Sequence, residues 1–154
     1  MANMTDQGRI NWFLQAVFTT SAATTTFTPG TGGGSPIVIT TPYHLRLMTA
    51  QGSNTAGSNG TEMGTGQGYT ALGQTLGTTF CAAPSAGTMS NSNSVTWAAT
   101  GTWASAITSI EIWDTAGTPL RWLQGALTSN ITGVVNGDSV QFAAGAITIN
   151  ASAW

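Results

Sequence analysis

The stretch Ile107-Thr-Ser-Ile-Glu-Ile-Trp113 decides the fold class of this 154-residue chain. Its residues alternate in the two-residue period of an extended backbone, because successive side chains of a strand point to opposite faces. Ile110 and Ile112 lie on one face, and Glu111 and Trp113 lie on the other. The stretch therefore predicts a β-strand, and the turn cluster Asp114-Thr-Ala-Gly-Thr-Pro that follows predicts its end.

Other segments on both sides of this stretch also have strand character. Tyr43, Leu45 and Leu47 alternate with polar or less apolar residues, which is typical of a half-buried strand. The other predicted strands are Ile37–Ile39, Tyr69–Leu72, Thr75–Phe80, Ser94–Trp97, Leu120–Leu127, Ser139–Phe142 and Ala146–Asn150. Short strands at a spacing of roughly ten residues, with turn signals between them, indicate an all-β fold. We expect an antiparallel β-sandwich of the jelly-roll or Ig-like kind.

The segment before these strands has a different pattern. One apolar stripe at helical spacing predicts a short N-terminal α-helix, and it consists of Ile10, Phe13, Leu14, Val17 and Phe18. A short helix is marginal alone, so its stripe needs a covering surface, either on its own domain or on a neighbouring subunit. Thr19–Ser35 is rich in Thr and Gly, and it predicts a flexible arm or a loop over the surface. The predicted organisation is therefore a helix and arm over residues 1–35 and a β-sandwich domain over residues 36–154.

Charge is scarce throughout the chain. It has three Lys or Arg residues, five Asp or Glu residues and one His, whereas roughly a quarter of an average soluble protein is charged. Three scattered arginines neutralise few phosphates, so we expect no nucleic-acid binding. A surface poor in charge also lacks the usual defence against self-association. We therefore expect a homo-oligomer whose surface is covered by neighbouring subunits.

The residues that carry chemistry are also few. One His, one Cys and scattered carboxylates make a metal site improbable, and we expect no cofactor. Glu111 and Asp114 are the carboxylates most easily paired for glycoside hydrolysis, but Asp commonly binds its own backbone in a turn. His44 lies beside Arg46 without a nucleophile motif, and Cys81 is expected to be a buried, inert thiol. We expect neither catalytic residues nor enzymatic activity.

Two further patterns concern membranes and tryptophans. No segment approaches the roughly 20 apolar residues of a membrane-spanning helix, and no export signal is visible, so we expect no membrane association. Of the six tryptophans, Trp97 and Trp122 are expected in the core. Tryptophan is also a preferred anchor of protein interfaces, and we expect Trp113 and Trp154 to serve in this way. An exposed tryptophan is the alternative, since it can stack on a sugar ring.

From Tyr43 onward, the order of several motifs resembles that of a family of small virion proteins of tailed bacteriophages, best known from phages of actinobacteria. These proteins are tail-fibre-like or minor tail proteins, and some are head decoration proteins. The motifs are Thr61-Glu-Met, Gly66-Gln-Gly-Tyr, Ser92-Asn-Ser-Val-Thr-Trp, Thr108-Ser-Ile-Glu-Ile-Trp-Asp-Thr-Ala-Gly, Trp122-Leu-Gln-Gly-Ala-Leu-Thr and Asn136-Gly-Asp-Ser-Val-Gln-Phe-Ala-Ala-Gly-Ala-Ile-Thr-Ile.

The resemblance implies a structural role with no catalytic residues to carry over. The leading expectation is a capsid decoration or cement protein on the phage head, with the major capsid protein or other virion subunits as partners. A trimer is implied by the resemblance alone. The alternative is a minor tail or fibre-tip protein that binds a host-surface glycan through exposed tryptophan and the loop Gln51–Gly68. In either case we expect assembly in the host cytoplasm and a final location in the virion.

Overall fold

The computed structural model describes residues 24–27, 37–53, 59–76, 80–81, 85–115 and 119–150. These residues form eleven β-strands, and none of them is helical. The strands are β1 (Thr24–Phe27), β2 (Ile37–Thr40), β3 (Tyr43–Ala50), β4 (Thr61–Glu62), β5 (Gln74–Leu76), β6 (Thr88–Ser90), β7 (Val95–Ala98), β8 (Ile107–Trp113), β9 (Arg121–Ile131), β10 (Ser139–Phe142) and β11 (Thr148–Asn150). The predicted all-β, antiparallel fold is confirmed. The predicted N-terminal helix lies outside the described residues.

The chain forms two compact units. The first comprises Met1–Thr41, Gly77–Val95 and Phe142–Trp154, and the second comprises Pro42–Leu76 and Thr96–Gln141. In the first unit, β1 pairs antiparallel with β2, and β6 pairs antiparallel with β11. β1 lies inside the segment predicted to be a flexible arm, so that prediction is wrong for Thr24–Phe27. Thr and Phe have high β-propensity, which favours a strand in this segment. The strand pairs in register with Ile37–Thr40.

Asn91 organises the rest of the first unit. Its side chain is 2% exposed. Its Nδ2 donates to the carbonyls of Asn93 and Ala143, and its Oδ1 accepts from the Ile147 N–H at 2.8 Å. A buried amide is stable when its donors and acceptor are all satisfied. Asn91 therefore joins the segment before β7 to the segment between β10 and β11.

The second unit contains a five-stranded sheet with β3 and β8 at its centre. β3 pairs with β4, β5 and β8, and β8 pairs with β9. Tyr43, Leu45 and Leu47 are buried, as the alternation in β3 predicts. Because cross-strand partners share a face, the register places Leu45 beside Ile112 and Arg46 beside Glu111. One face of the sheet is therefore apolar, and the other face carries charged side chains.

β9 is an edge strand of this sheet in the described part of the chain, and it is longer than the predicted Leu120–Leu127. Its register with β8 shifts between the pairs Ser109 with Ala126 and Ile107 with Ile131. Four residues of β9 thus oppose one residue of β8, which is a large β-bulge. A bulge disturbs the regular ladder, and natural edge strands use this device against unwanted pairing.

The predicted strand Tyr69–Leu72 is replaced by two turns. Gln67 and Gly68 have φ angles of 53° and 90°, and Gly66 and Tyr69 exchange backbone hydrogen bonds of 2.8 and 3.0 Å. Two successive positive φ angles define a type I′ turn, in which glycine is favoured. A Cβ at position 68 would collide with the Ala98 carbonyl oxygen. The motif Gly66-Gln-Gly-Tyr therefore encodes this turn.

Candidate functional site

The charged residues of the described part of the chain are engaged by other groups of the second unit. Six such side chains are described: Arg46, Glu62, Glu111, Asp114, Arg121 and Asp138. Each one makes an ion pair or accepts a hydrogen bond from a neighbouring group. We treat the charged face of the five-stranded sheet as the candidate site. Its charged side chains could bind a ligand or take part in catalysis, whereas the rest of the chain is rich in Thr, Ser, Asn and Gly.

Glu111 lies at the centre of this face and is 0% exposed. One carboxylate oxygen, Oε1, accepts from Arg121 at 3.0 Å, and the other, Oε2, accepts from the Trp113 indole N–H at 2.8 Å. Arg121 also donates to the carbonyl of Ser53. A buried carboxylate is tolerated when a cation and further donors satisfy its oxygens. Glu111 thereby ties the edge strand β9 and the loop after β3 to the central strand β8.

Gly60 packs directly against this carboxylate. A Cβ at this position would lie 2.9 Å from Glu111 Oε1 and 2.8 Å from the Gly52 nitrogen, and it would collide with the Ala50 carbonyl. Only glycine therefore fits at position 60. The backbone at Gly60 therefore covers Glu111 on the side of Oε1.

Asp114, directly after β8, is 1% exposed and closes the hairpin between β8 and β9. Its carboxylate accepts from the Leu120 N–H at 2.8 Å and from the Trp122 indole N–H at 3.0 Å. Its own N–H donates to the Leu120 carbonyl. The structure thus gives Asp114 the backbone-bracing role that its place in a turn predicts. Asp138 does the same in a second turn by accepting from the Val135 N–H at 2.8 Å.

Arg46 and Glu62 form a second ion pair, 3.4 Å long, beside Trp113. The Arg46 guanidinium carbon lies 4.3 Å from the centroid of the Trp113 ring, which is a cation–π contact. Glu62 also accepts from the Tyr69 hydroxyl at 2.8 Å. Ion pairs, an indole and a phenol therefore continue across the sheet from β9 to the turn that precedes β5.

Tyr69 connects the charged residues to an aromatic cluster. Its hydroxyl accepts from the Leu47 N–H at 3.1 Å, and its ring packs on Trp97 and Trp103 with centroids 6.5 and 6.4 Å away. Burial, the largest cause, and the neighbouring Glu62 raise the pKa of the Tyr69 hydroxyl above its ordinary value. The Trp103 indole donates to the Gln67 carbonyl at 2.9 Å, which fixes the type I′ turn.

The residues predicted from sequence to form an interface meet different outcomes. Trp113 is 7% exposed and is covered by its own chain, so its indole offers little surface to a partner. Burial here comes from the Arg46 guanidinium above the ring and the Glu111 carboxylate at its nitrogen. Ile10, Phe13, Leu14, Val17 and Trp154 lie outside the described residues.

The structure also gives the surroundings of each residue that was considered for a catalytic role. Glu111 and Asp114 are buried and occupied by arginine, indole and backbone donors. His44 Nδ1 lies 3.1 Å from the Leu72 carbonyl oxygen. Cys81 is buried, as predicted, and burial raises the pKa of its thiol from 9.0 to about 12. An inert thiol is the consequence, because the reactive thiolate is disfavoured.

Sequence reasoning missed the part that Arg46, Glu62, Tyr69 and Gly60 play. The alternation in β3 placed Arg46 on the polar face, but no spacing rule joins β3 to Glu111 in β8 or to Glu62 in β4. One signal was available. The chain has so few charges that each arginine is expected to pair with one of the few carboxylates once it is buried.

The described residues include no helix with the length and hydropathy of a membrane span. They also contain no cluster of three or more His, Cys, Asp or Glu side chains that could hold a metal ion.

Comparison with known proteins gives one match. The family model described as Podophage GP4 fiber I protein gp80 matches residues 1–150. No curated protein and no solved structure is significantly similar to the chain. The match covers nearly the whole sequence, including the N-terminal segment and both compact units.

Proposed function

The chain belongs to the podophage GP4 fiber I protein gp80 family, and from this membership we propose that it is a structural subunit of a phage tail fibre. A phage virion protein is what the family describes, and it agrees with the resemblance found in the motifs after Tyr43. The finer assignment to the fibre is the proposal, and the family match over residues 1–150 is the observation that carries it.

The use of charge inside the fold supports a structural role. In the described residues, both arginines pair with carboxylates, and two of the carboxylates brace turns. Apart from Ala126, the exposed residues of β9 and β10 are instead Thr, Ser, Asn and Gln. Such a surface makes hydrogen bonds without the desolvation cost of ions. It therefore suits contacts with other virion subunits, in an assembly that we propose includes further copies of the chain, as a trimer.

Of the two locations considered from sequence, the comparison favours the tail fibre over the capsid decoration. The family description names a fibre protein, whereas the preference for the head rested on the small size and low charge of the chain. Both properties suit a fibre subunit equally well. Other fibre subunits accordingly replace the major capsid protein as the proposed partners.

A glycan platform built on exposed tryptophan has little support among the described residues. Trp97, Trp103 and Trp113 are 1%, 5% and 7% exposed, and Trp122 is half-buried with its indole N–H bound to Asp114. These indoles hold the second unit together. We therefore propose an architectural role for the described residues, without catalysis.

Fractionation of virions tests the location. Purified particles are separated into heads and tails, and each fraction is probed with an antibody raised against the full chain. Gold-labelled antibody on intact particles then gives the position by electron microscopy. The proposal predicts signal in the tail fraction and gold on the fibres. Signal confined to heads would overturn it in favour of the decoration protein.

A further inference from the structure

The chain contains two Asn-Gly pairs, Asn59-Gly60 and Asn136-Gly137, in different structural settings. An asparagine followed by glycine is prone to self-modification, because glycine has no side chain to shield its backbone nitrogen from the asparagine amide. The Gly nitrogen attacks the Asn side-chain carbon (Cγ), a C–N bond forms, and ammonia leaves. Water then opens the cyclic imide to aspartate or isoaspartate. Only water is consumed, and nothing is oxidised or reduced.

The nitrogen of the second pair is held in place. The Gly137 N–H donates to the Ala99 carbonyl at 2.9 Å, and the Asp138 carboxylate closes the same turn by accepting from the Val135 N–H. For Gly137 to attack, this hydrogen bond must break and the turn must change shape. The turn therefore protects Asn136, although the residue is exposed.

The first pair lacks this protection. Asn59 is exposed, and the Gly60 N–H makes no hydrogen bond to another residue in the described part of the chain. The glycine cannot be exchanged, because a Cβ there would clash with Ala50 and press on Glu111. Packing around the Glu111 carboxylate thus requires glycine at position 60. The same glycine makes the preceding Asn59 prone to deamidation.

We propose that Asn59 is a site of spontaneous deamidation in the folded protein and that it reacts faster than Asn136. The reaction has a structural consequence. Isoaspartate adds one methylene to the backbone immediately before the wedged Gly60, and either product adds a negative charge beside that residue. Both changes weaken the packing of Gly60 on Glu111, and with it the contacts of Arg121 and Trp113. This inference is independent of where the protein lies in the virion.

Peptide mapping by mass spectrometry tests the proposal on the purified full-length chain. The native protein is aged in mildly alkaline buffer, and the acid form is quantified separately at positions 59 and 136. The same chain in denaturant supplies each site's unfolded rate, so that the ratio of native to unfolded rates isolates the effect of the fold. An Asn59→Gln variant, whose longer side chain closes the ring poorly, is the matched control for the structural consequence.

We expect the ratio of native to unfolded deamidation rates at Asn59 to exceed the ratio at Asn136 by on the order of fivefold or more. This factor corresponds to the free energy of breaking one hydrogen bond, which only Gly137 must do before it can attack. Aged wild-type protein should also show a changed tryptophan fluorescence and should unfold at a lower urea concentration than fresh protein. Aged Asn59→Gln protein should show neither change. Equal ratios at the two sites, or a higher ratio at Asn136, would overturn the proposal. Strong suppression of native-state deamidation at both sites would overturn it as well. In that case the packing of Gly60 would protect Asn59 even though the Gly60 N–H makes no hydrogen bond in the described part of the chain.

Discussion

Removal of the Glu111 side chain is expected to be the most damaging single change in the charged face. The carboxylate is 0% exposed and neutralises Arg121, whose side chain is 13% exposed. Loss of one partner from a buried ion pair costs about 3–5 kcal/mol, because the other charge is left buried and unpaired. A domain is stable by only about 5–15 kcal/mol. Glu111→Ala should therefore bring the second unit close to the limit of folding.

Urea denaturation, monitored by tryptophan fluorescence and by circular dichroism, measures this loss. Urea is chosen because guanidinium salt would itself screen the ion pair. Glu111→Gln keeps the shape of the side chain and one acceptor oxygen, but it places an NH2 donor against one of the two N–H groups that the carboxylate accepts from. It should therefore lose at least about 1–3 kcal/mol, less than Glu111→Ala. Asp138→Asn, in an exposed turn, is the control for removal of a carboxylate charge and should change stability far less.

A double variant tests whether the cost comes from the orphaned charge. Arg121→Met in the Glu111→Leu background replaces the ion pair by apolar side chains of similar size, and such replacements are often neutral or stabilising. The double variant should therefore be more stable than Glu111→Ala. If Glu111→Ala loses no more stability than Asp138→Asn, the charged face is not what holds β8, β9 and the loop after β3 together, and the reasoning fails.

Four further outcomes follow from the second unit and from Cys81. Tyr69→Phe should cost about 1–3 kcal/mol in urea titrations, because the Leu47 N–H is left buried without its acceptor. Since the pKa of Tyr69 is raised above 10.0 in the folded state, the unfolded chain alone ionises as the pH climbs past 10, so wild-type stability should fall there and the Phe variant should fall less. Cys81, whose pKa burial raises to about 12, should resist thiol reagents in mildly alkaline buffer until denaturant is added; rapid labelling of native protein would contradict this. Gly68→Ala should be much more destabilising than Gly66→Ala. Both substitutions strain a positive φ, but only the first adds overpacking worth about 1–3 kcal/mol. Equal decreases in melting temperature would show that Gly68 is not tightly packed against Ala98.

Some of the fold could be predicted from local pattern. Ile107–Trp113 and Ser139–Phe142 are strands with the predicted bounds, because alternating side chains in these segments match the faces of a sheet. The alternation in β3 also identified its buried residues correctly. These elements are decided by a signal that lies within a few residues of sequence.

The charged face could not be predicted in the same way. In β8, Ile112 is buried on one face of the strand, and Ser109 and Glu111 on the other are each 0% exposed. Alternation predicts two faces of different polarity, but it does not say that a loop and a glycine from elsewhere cover the polar face. Tertiary packing therefore decided the environment of Glu111 and Trp113, and it turned an expected interface tryptophan into a buried one.

The turn around Gln67 shows the same limit at shorter range. Tyr69–Leu72 has strand-like composition, yet Gln67, Gly68 and Leu72 all have positive φ angles. The glycines permit this conformation, and the bonds that the Gln67 carbonyl accepts from Thr100 and Trp103 maintain it. Those donors lie more than thirty residues away in sequence, where local propensity carries no information.

A cryo-electron microscopy reconstruction of the intact virion at side-chain resolution would show whether the chain is a tail-fibre subunit. We expect density for the five-stranded sheet, with the Glu111–Arg121 pair inside it, in a tail fibre whose neighbouring subunits cover the Thr, Ser and Asn side chains of β9. Density for this fold on the head shell, or in a fibre where that surface faces solvent without a neighbour, would contradict it.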